Sequence, residues 1–294
     1  MNILINRRGS AGDVLLLEPI LTCLGKEHTV RLITDHYDIF ETSDHNFKVS
    51  SRKNIFMPKY DVYISLDNVY ENEPLINRLE VLISYTEKQL INYNIEIEPI
   101  PYRNIEHPLT THATNKVDEY KKEYGDYLVA HVDANPNYTK GRRLHGINWS
   151  EVFRYIEDEL NITVVEIGKY TNWGFRKKNV KDISTLAPII KGSKYYIGID
   201  SFPSHLAIAV KHTNILIFFG NTDPSIVYPI ITKSMQISQK ECATPHCYHS
   251  YKGGITSPLL HTGPKNCPLY HDPPLCNTYT TDEIKKIIKE NIYK

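Results

Sequence analysis

Short β-branched and aromatic runs alternate with segments of helical period along most of the chain, and this alternation restricts the fold more than any other feature. Asn2–Asn6, Thr29–Thr34 and residues 61–66 read as strands; between the first two, Val14, Leu17, Ile20, Leu21 and Leu24 recur at helical spacing, with Gly25 as a stop. Residues 98–108 hold Pro99, Pro101 and Pro108 without any period and read as a linker, with a helix over 115–124 after it. A second series starts with strand 127–132 and continues through strands 162–167, Tyr195–Ile199 and 214–219. Helices 150–160 and 204–210 belong to this series, the first carrying Val152, Phe153, Ile156 and Leu160 on one face. Such alternation predicts parallel sheets with helices on both faces. The expected fold is therefore α/β: two Rossmann-like, doubly wound domains, residues 1–110 and 111–294, facing a cleft at the C-terminal ends of their strands.

The chain has 294 residues, enough for two domains that each bury a core. Its 34 Lys and Arg balance its 34 Asp and Glu, so no global field favours nucleic acid or a membrane surface, and an anionic ligand must be held by a local cluster. The first apolar run, Ile3 to Ile5, is too short for a secretory signal, and no stretch reaches the roughly 18 apolar residues of a membrane span. A cytoplasmic protein is expected. Its five Cys then read as reduced thiols or metal ligands before they read as disulfides.

Three constellations carry chemistry. Gly9-Ser10-Ala11-Gly12-Asp13 lies between the first strand and the first helix. Its glycines let the backbone approach a ligand, and Asp13, facing the cleft, has the chemistry of a general base; alternatively it only caps the helix. Lys140-Gly141-Arg142-Arg143 precedes the helix at 150–160. Three cations in four residues suit a diphosphate, because guanidinium groups contact phosphate oxygens bidentately; a solvated basic loop is the plainer reading. Asp200-Ser201-Phe202-Pro203-Ser204-His205 runs from a strand end into a helix, where Asp200 and Ser201 can hold hydroxyls or cap the helix and His205 lies near the cleft. Phe219-Gly220-Asn221-Thr222-Asp223-Pro224 is another turn at a strand's C-terminal end.

In order and spacing, Gly12-Asp13, Arg142 to Trp149, Asp200 to Ala209 and Phe219 to Pro224 resemble the bacterial heptosyltransferase family, the lipopolysaccharide-core glycosyltransferases of GT-B fold. The sequence departs from the family pattern at Leu144-His145, where a Trp-Pro pair is usual, and at Phe202, where Gly is usual; its first domain is also shorter. The resemblance implies an inverting glycosyltransferase that moves a sugar from a nucleotide-diphosphate sugar to an acceptor hydroxyl without a catalytic metal. It implies Asp13 as base, Arg142 with Arg143 on the donor phosphates, and Asp200, Ser201 and His205 as donor-binding positions; Lys140 joins the donor side as the third cation of its loop. The acceptor is a glycan, a protein or another hydroxyl, a modified viral DNA base included. A catalytically silent sugar-nucleotide-binding protein is the alternative from another class.

Residues 240–277 contain Cys242, Cys247, Cys267 and Cys276, several Pro and few periodic apolar residues, so an irregular tail is expected. A capping box, Thr280 to Glu283, then opens a C-terminal helix over 281–293. Four thiolates fit a structural zinc or iron site, although neither pair has two-residue spacing; two disulfides or free thiols are the alternatives. Cys23 falls on the first helix and reads as a small buried residue.

Overall fold

The computed structural model describes residues 1–54, 59–73, 75–132, 142–169, 173–176, 183–250, 267 and 269–292. It holds two parallel sheets. The first joins β1 (Asn2–Asn6), β2 (Thr29–Thr34), β3 (Lys48–Ser51) and β4 (Val62–Ser65) in the order β3-β2-β1-β4. The second joins β5 (Tyr127–His131), β6 (Thr163–Glu166), β7 (Tyr195–Ile199), β8 (Ile215–Phe219) and β9 (Met235–Gln239) in the order β6-β5-β7-β8-β9. Every pairing is parallel. In each sheet the chain winds outward from its first strand and then returns to that strand's other side, at β4 and at β7. The crevices between β1 and β4 and between β5 and β7 are therefore topological switch points, where doubly wound sheets bind ligands.

The helix expected after β1 is broken into α1 (Ala11–Leu15) and α2 (Glu18–Leu24). Pro19 causes the break: it has no N–H to continue the first helix and sits comfortably in the first turn of the second. Helices Ile183–Gly192, Pro224–Val227 and Cys247–Ser250 lie outside the sequence reading, and so do two strands and a helix of more instructive kind. Strands β3 and β9 are edge strands of mostly polar sequence, Lys-Val-Ser-Ser and Met-Gln-Ile-Ser-Gln, so burial imposes little apolar pattern on them. Helix α3 (Arg78–Asn92) is capped by the Asn77 side chain, which accepts the Leu79 N–H; its apolar face is interrupted by buried Arg78 and Thr86. In the second series, α4 (Thr111–Tyr124), α5 (Trp149–Asp158), α6 (Ile183–Gly192) and α7 (Phe202–Ala209) alternate with strands. The short α8 (Pro224–Val227) and α9 (Cys247–Ser250) follow, then α10 (Thr281–Ile292), which packs with α5 on one face of the second sheet through Ile284, Ile288, Trp149 and Phe153.

The two sheets share one buried cluster. Val14 and Leu17 from the first half lie in the same core as Leu206 and Tyr228 from the second, and α1 packs against α7. Residues 98–108 form no helix or strand, yet their second half is pinned. Buried Glu18 accepts two hydrogen bonds from Arg103 (2.9 and 2.8 Å) and one from the Glu106 N–H (2.8 Å), while the His107 N–H donates to the Ala209 carbonyl at 2.8 Å. No helix among the described residues is long and apolar enough to cross a membrane.

Candidate active site

The turn after β1 and the turn after β4 meet at the first switch point. Asp13 is the third residue of α1 and Ser10 its N-cap, so the carboxylate caps the helix as the N3 member of a capping box and not as the N-cap residue. Its Oδ2 accepts the Ser10 N–H at 2.8 Å and the Ser10 hydroxyl at 2.9 Å. Its Oδ1 accepts the Tyr70 hydroxyl at 2.5 Å and lies 3.7 Å from Arg78 Nη1. The Tyr70 ring is stacked between two guanidinium groups, with Arg7 Cζ 4.6 Å and Arg78 Cζ 4.9 Å from its centroid. Arg7 in turn donates to the Leu66 carbonyl and, at 3.2 Å, to Glu71. Burial works against ionisation of Asp13, but Arg78, Arg7 and the Tyr70 and Ser10 donors outweigh it and hold the carboxyl at about 2. Burial and the Asp13 charge push the Tyr70 phenol far above its usual range, so it stays a donor.

Two glycines of this turn sit in close quarters. Gly9 has a φ of +133°, and a Cβ there would lie 2.9 Å from Asp13 Oδ2. A Cβ at Gly12 would lie 3.2 Å from His205 Cδ2. The close approach that Gly12 permits is thus between α1 and α7, where the sequence had suggested a ligand.

At the second switch point Asp200, buried at the end of β7, accepts the Thr222 hydroxyl at 2.8 Å and pairs with Arg142 Nε at 3.3 Å. Burial opposes its charge, yet Arg142, His205 and Arg78 hold its carboxyl below the usual range. Arg142 Cζ lies 5.5 Å from the Tyr248 ring centroid. Ser201, the N-cap of α7, hydrogen-bonds His131 Nδ1 at 3.0 Å and donates to the Ile199 carbonyl at 3.1 Å. His205 lies against Tyr228, ring centroids 4.5 Å apart, and its Nδ1 has no hydrogen-bond partner among the described residues. Burial pushes its pKa down to about 4, so it is neutral at pH 7.

Asp13, Arg142, Asp200 and His205 therefore share one charge field, and Arg78 bridges its halves by acting on both carboxylates. Arg143 stands apart: with Val132, His145, Trp149 and Trp173 it lines a pocket of about 370 Å³. Lys140 lies outside the described residues. Four members of the site escaped the sequence reading. Tyr70 follows a strand's C-terminal end, a position that topology alone marks for ligands. Arg78, Tyr248 and buried His249 carry no such signal; His249 Nε2 has no hydrogen-bond partner among the described residues.

The tail reaches this site from two sides. The Tyr248 N–H donates to the Asn221 carbonyl at 3.0 Å. The His145 N–H donates to the Asn277 carbonyl at 2.8 Å, and the Tyr279 N–H to the His145 carbonyl at 3.0 Å. No two of the five cysteines are joined in the structure. Burial and the charges of Cys242, Cys247 and Cys267 push Cys276 up to about 11; Cys247 rises equally by burial and the charges of Cys267 and Cys242. The four tail thiols are near enough to repel one another as thiolates, although no group of three or more His, Cys, Asp or Glu side chains among the described residues is arranged to hold a metal.

Residues 181–252 match the family model described as glycosyltransferase family 9 (heptosyltransferase). No curated protein matches the sequence. Solved structures share its fold over nearly the whole chain. The family 9 glycosyl transferase from Veillonella parvula has a TM-score of 0.67 at 13% identity, covering 99% of this chain and 97% of that one. ADP-heptose lipopolysaccharide heptosyltransferase II of E. coli has a TM-score of 0.67 at 10% identity, covering 100% and 99%. The iron-containing dodecameric glycosyltransferase TibC from enterotoxigenic E. coli has a TM-score of 0.66 at 13% identity, covering 99% and 76%. The matched segment lies in the second sheet's half of the chain, and over nearly its whole length the chain shares the fold of these enzymes, two parallel-sheet domains of GT-B type.

Proposed function

We propose that this enzyme transfers a sugar from a nucleoside-diphosphate sugar to an acceptor hydroxyl by direct, inverting displacement, with Asp13 as the general base. The observation that carries this reading is the Asp13 carboxylate, held ionised at the first switch point in the same charge field as the Arg142–Asp200 pair at the second. An attacking hydroxyl on the side of the first sheet gives its proton to Asp13. Arg142, beside the second sheet, neutralises the charge that grows on the departing diphosphate. Asp200 and Thr222 fix the direction of Arg142, and Ser201 and neutral His205 complete the donor side. Arg143 and Lys140 belong to the same cationic loop, with Arg143 in the pocket beside Trp173. ADP-heptose, which TibC binds and whose 2-deoxy-2-fluoro analogue an E. coli heptosyltransferase binds, is the first donor to offer. A glycan, a protein or another hydroxyl compound serves as acceptor.

The test is release of nucleoside diphosphate from a panel of nucleotide sugars headed by ADP-heptose. Asp13→Asn is expected to lower turnover by about 100- to 10,000-fold while donor affinity stays within a few-fold. Near-normal turnover of the variant would end the base assignment. Donor binding without turnover in the wild type would favour a silent sugar-nucleotide-binding protein.

For Cys242, Cys247, Cys267 and Cys276 we infer a structural zinc or iron site, on the ground that four mutually repelling thiols in a segment with little core of its own gain most from a shared cation. TibC, an iron-containing relative in fold, makes iron the first metal to assay.

A further inference from the structure

We propose that Tyr70 is a positioning residue that leaves the Asp13 carboxylate open to a single attacking hydroxyl and so keeps water from competing with the acceptor, an inference that rests on Asp13 being the base. An ionised carboxylate offers about four acceptor positions on its two oxygens. Ser10 fills both positions on Oδ2 with its N–H and its hydroxyl. Tyr70 fills one on Oδ1 at 2.5 Å. Arg78 is 3.7 Å from that oxygen, an ion-pair distance too long for a hydrogen bond. One position remains, on Oδ1, directly beside the tyrosine hydroxyl.

The tyrosine cannot easily swing aside. Its ring is clamped between Arg7 and Arg78 and is only 8% exposed. Arg7 is itself tied to Leu66 and Glu71. Three separate segments thus converge on one ring: the chain after β1, the turn after β4 and the first residue of α3. Cation–π attraction explains an aromatic ring between two guanidinium groups, but phenylalanine would serve that purpose equally. The hydroxyl has its own task, and its partner is Asp13.

In transfer, the acceptor O–H gives its proton to Oδ1 while its oxygen bonds the anomeric carbon. The bond from that carbon to the phosphate oxygen breaks, and its electron pair leaves with the nucleoside diphosphate. Water can follow the same course and release free sugar wherever it finds room at the base. Removing the Tyr70 hydroxyl opens a second position on Oδ1 and strips one stabilising donor from the carboxylate, which makes it a stronger base.

The experiment compares ADP release from ADP-heptose without any acceptor. Tyr70→Phe keeps the ring in its clamp, and hydrolysis is expected to rise roughly tenfold over wild type, with the acid limb of its pH profile moved upward. Adding Asp13→Asn to this variant should abolish the gain. A purely structural role for Tyr70 predicts slower hydrolysis and an unmoved acid limb, and either that result or unchanged hydrolysis overturns the proposal. Hydrolysis by Asp13→Asn alone at the wild-type rate would instead sink the base assignment. If neither wild type nor Tyr70→Phe releases ADP, and no other donor of the panel turns over, the proposed function and this inference fall together.

Discussion

At the scale of single residues, the site is a set of buried charges that tolerate burial only because each has a fixed partner. Asp200 is the clearest case. It is 3% exposed, and its ion-pair partner is Arg142. Truncating one partner of a buried pair typically costs about 3–5 kcal/mol, because the other charge is left uncompensated. Arg142→Ala is therefore expected both to destabilise the second domain and to lose the donor, and the two effects need separating. Arg142→Ala combined with Asp200→Asn removes both charges, so it should regain most of the lost stability in denaturant melts and still bind ADP far more weakly than wild type. Affinity for ADP measured beside affinity for adenosine decides the matter: the phosphate role is wrong if the double variant binds both as wild type does.

At the scale of elements, the irregular tail holds the cationic loop from both sides. Asn277, next to Cys276, accepts the His145 N–H, and Tyr248, next to Cys247, presents its ring to Arg142. If the four cysteines share a metal, Cys276→Ser or removal of the metal should speed hydrogen exchange at His145 and Tyr279 and weaken ADP binding several-fold. Elemental analysis of protein purified without added metal should find one ion per chain, and substoichiometric metal with unchanged exchange would refute the arrangement. The tail also marks where sequence reasoning reaches its limit. Strands β1, β2 and β7 have the bounds that their apolar runs predict, because most of their residues are buried on both faces, which leaves an apolar signature with Arg31 the one charged interruption. Strands β3 and β9 leave none at their sheet edges, and α3 hides its period behind Arg78 and Thr86. The site divides the same way. Asp13, Arg142, Asp200 and His205 lie in recognisable strand-to-helix turns, whereas Tyr70 and Arg78 join the site through Asp13, more than 50 residues distant in sequence. No local pattern can encode such a pairing.

At the scale of the whole molecule, burial has been purchased with neutral histidines. His107 links residues 98–108 to the Thr42 hydroxyl at 3.1 Å and is pushed down to about 3 by burial and by His45. His205 sits between α1 and α7 at about 4, and His212, bonded to Ser193 at 3.0 Å, is also at about 4, both mainly through burial. An unfolded histidine titrates near 6.5. Between that value and about 4 the unfolded chain therefore binds protons that the folded chain refuses, and the unfolding free energy must fall as pH is lowered. Each such histidine contributes a slope of up to about 1.4 kcal/mol per pH unit across this window. Asp13, whose folded pKa is about 2, also has a lowered value, but its contribution is fully present above the usual carboxylate range and is lost only as pH falls below about 4. Stability measured by denaturant titration should accordingly be flat between about pH 7 and 8, below the range where the raised thiols of Cys247 and Cys276 matter, and decline steadily from pH 6.5 towards 4, before any carboxylate effect begins. His107 and His205 both lie where the two halves of the chain meet, so replacing His107 by Gln should flatten part of this decline. Stability that stays constant from pH 7 to 5 would show that these histidines take up protons in the folded state as readily as in the unfolded one.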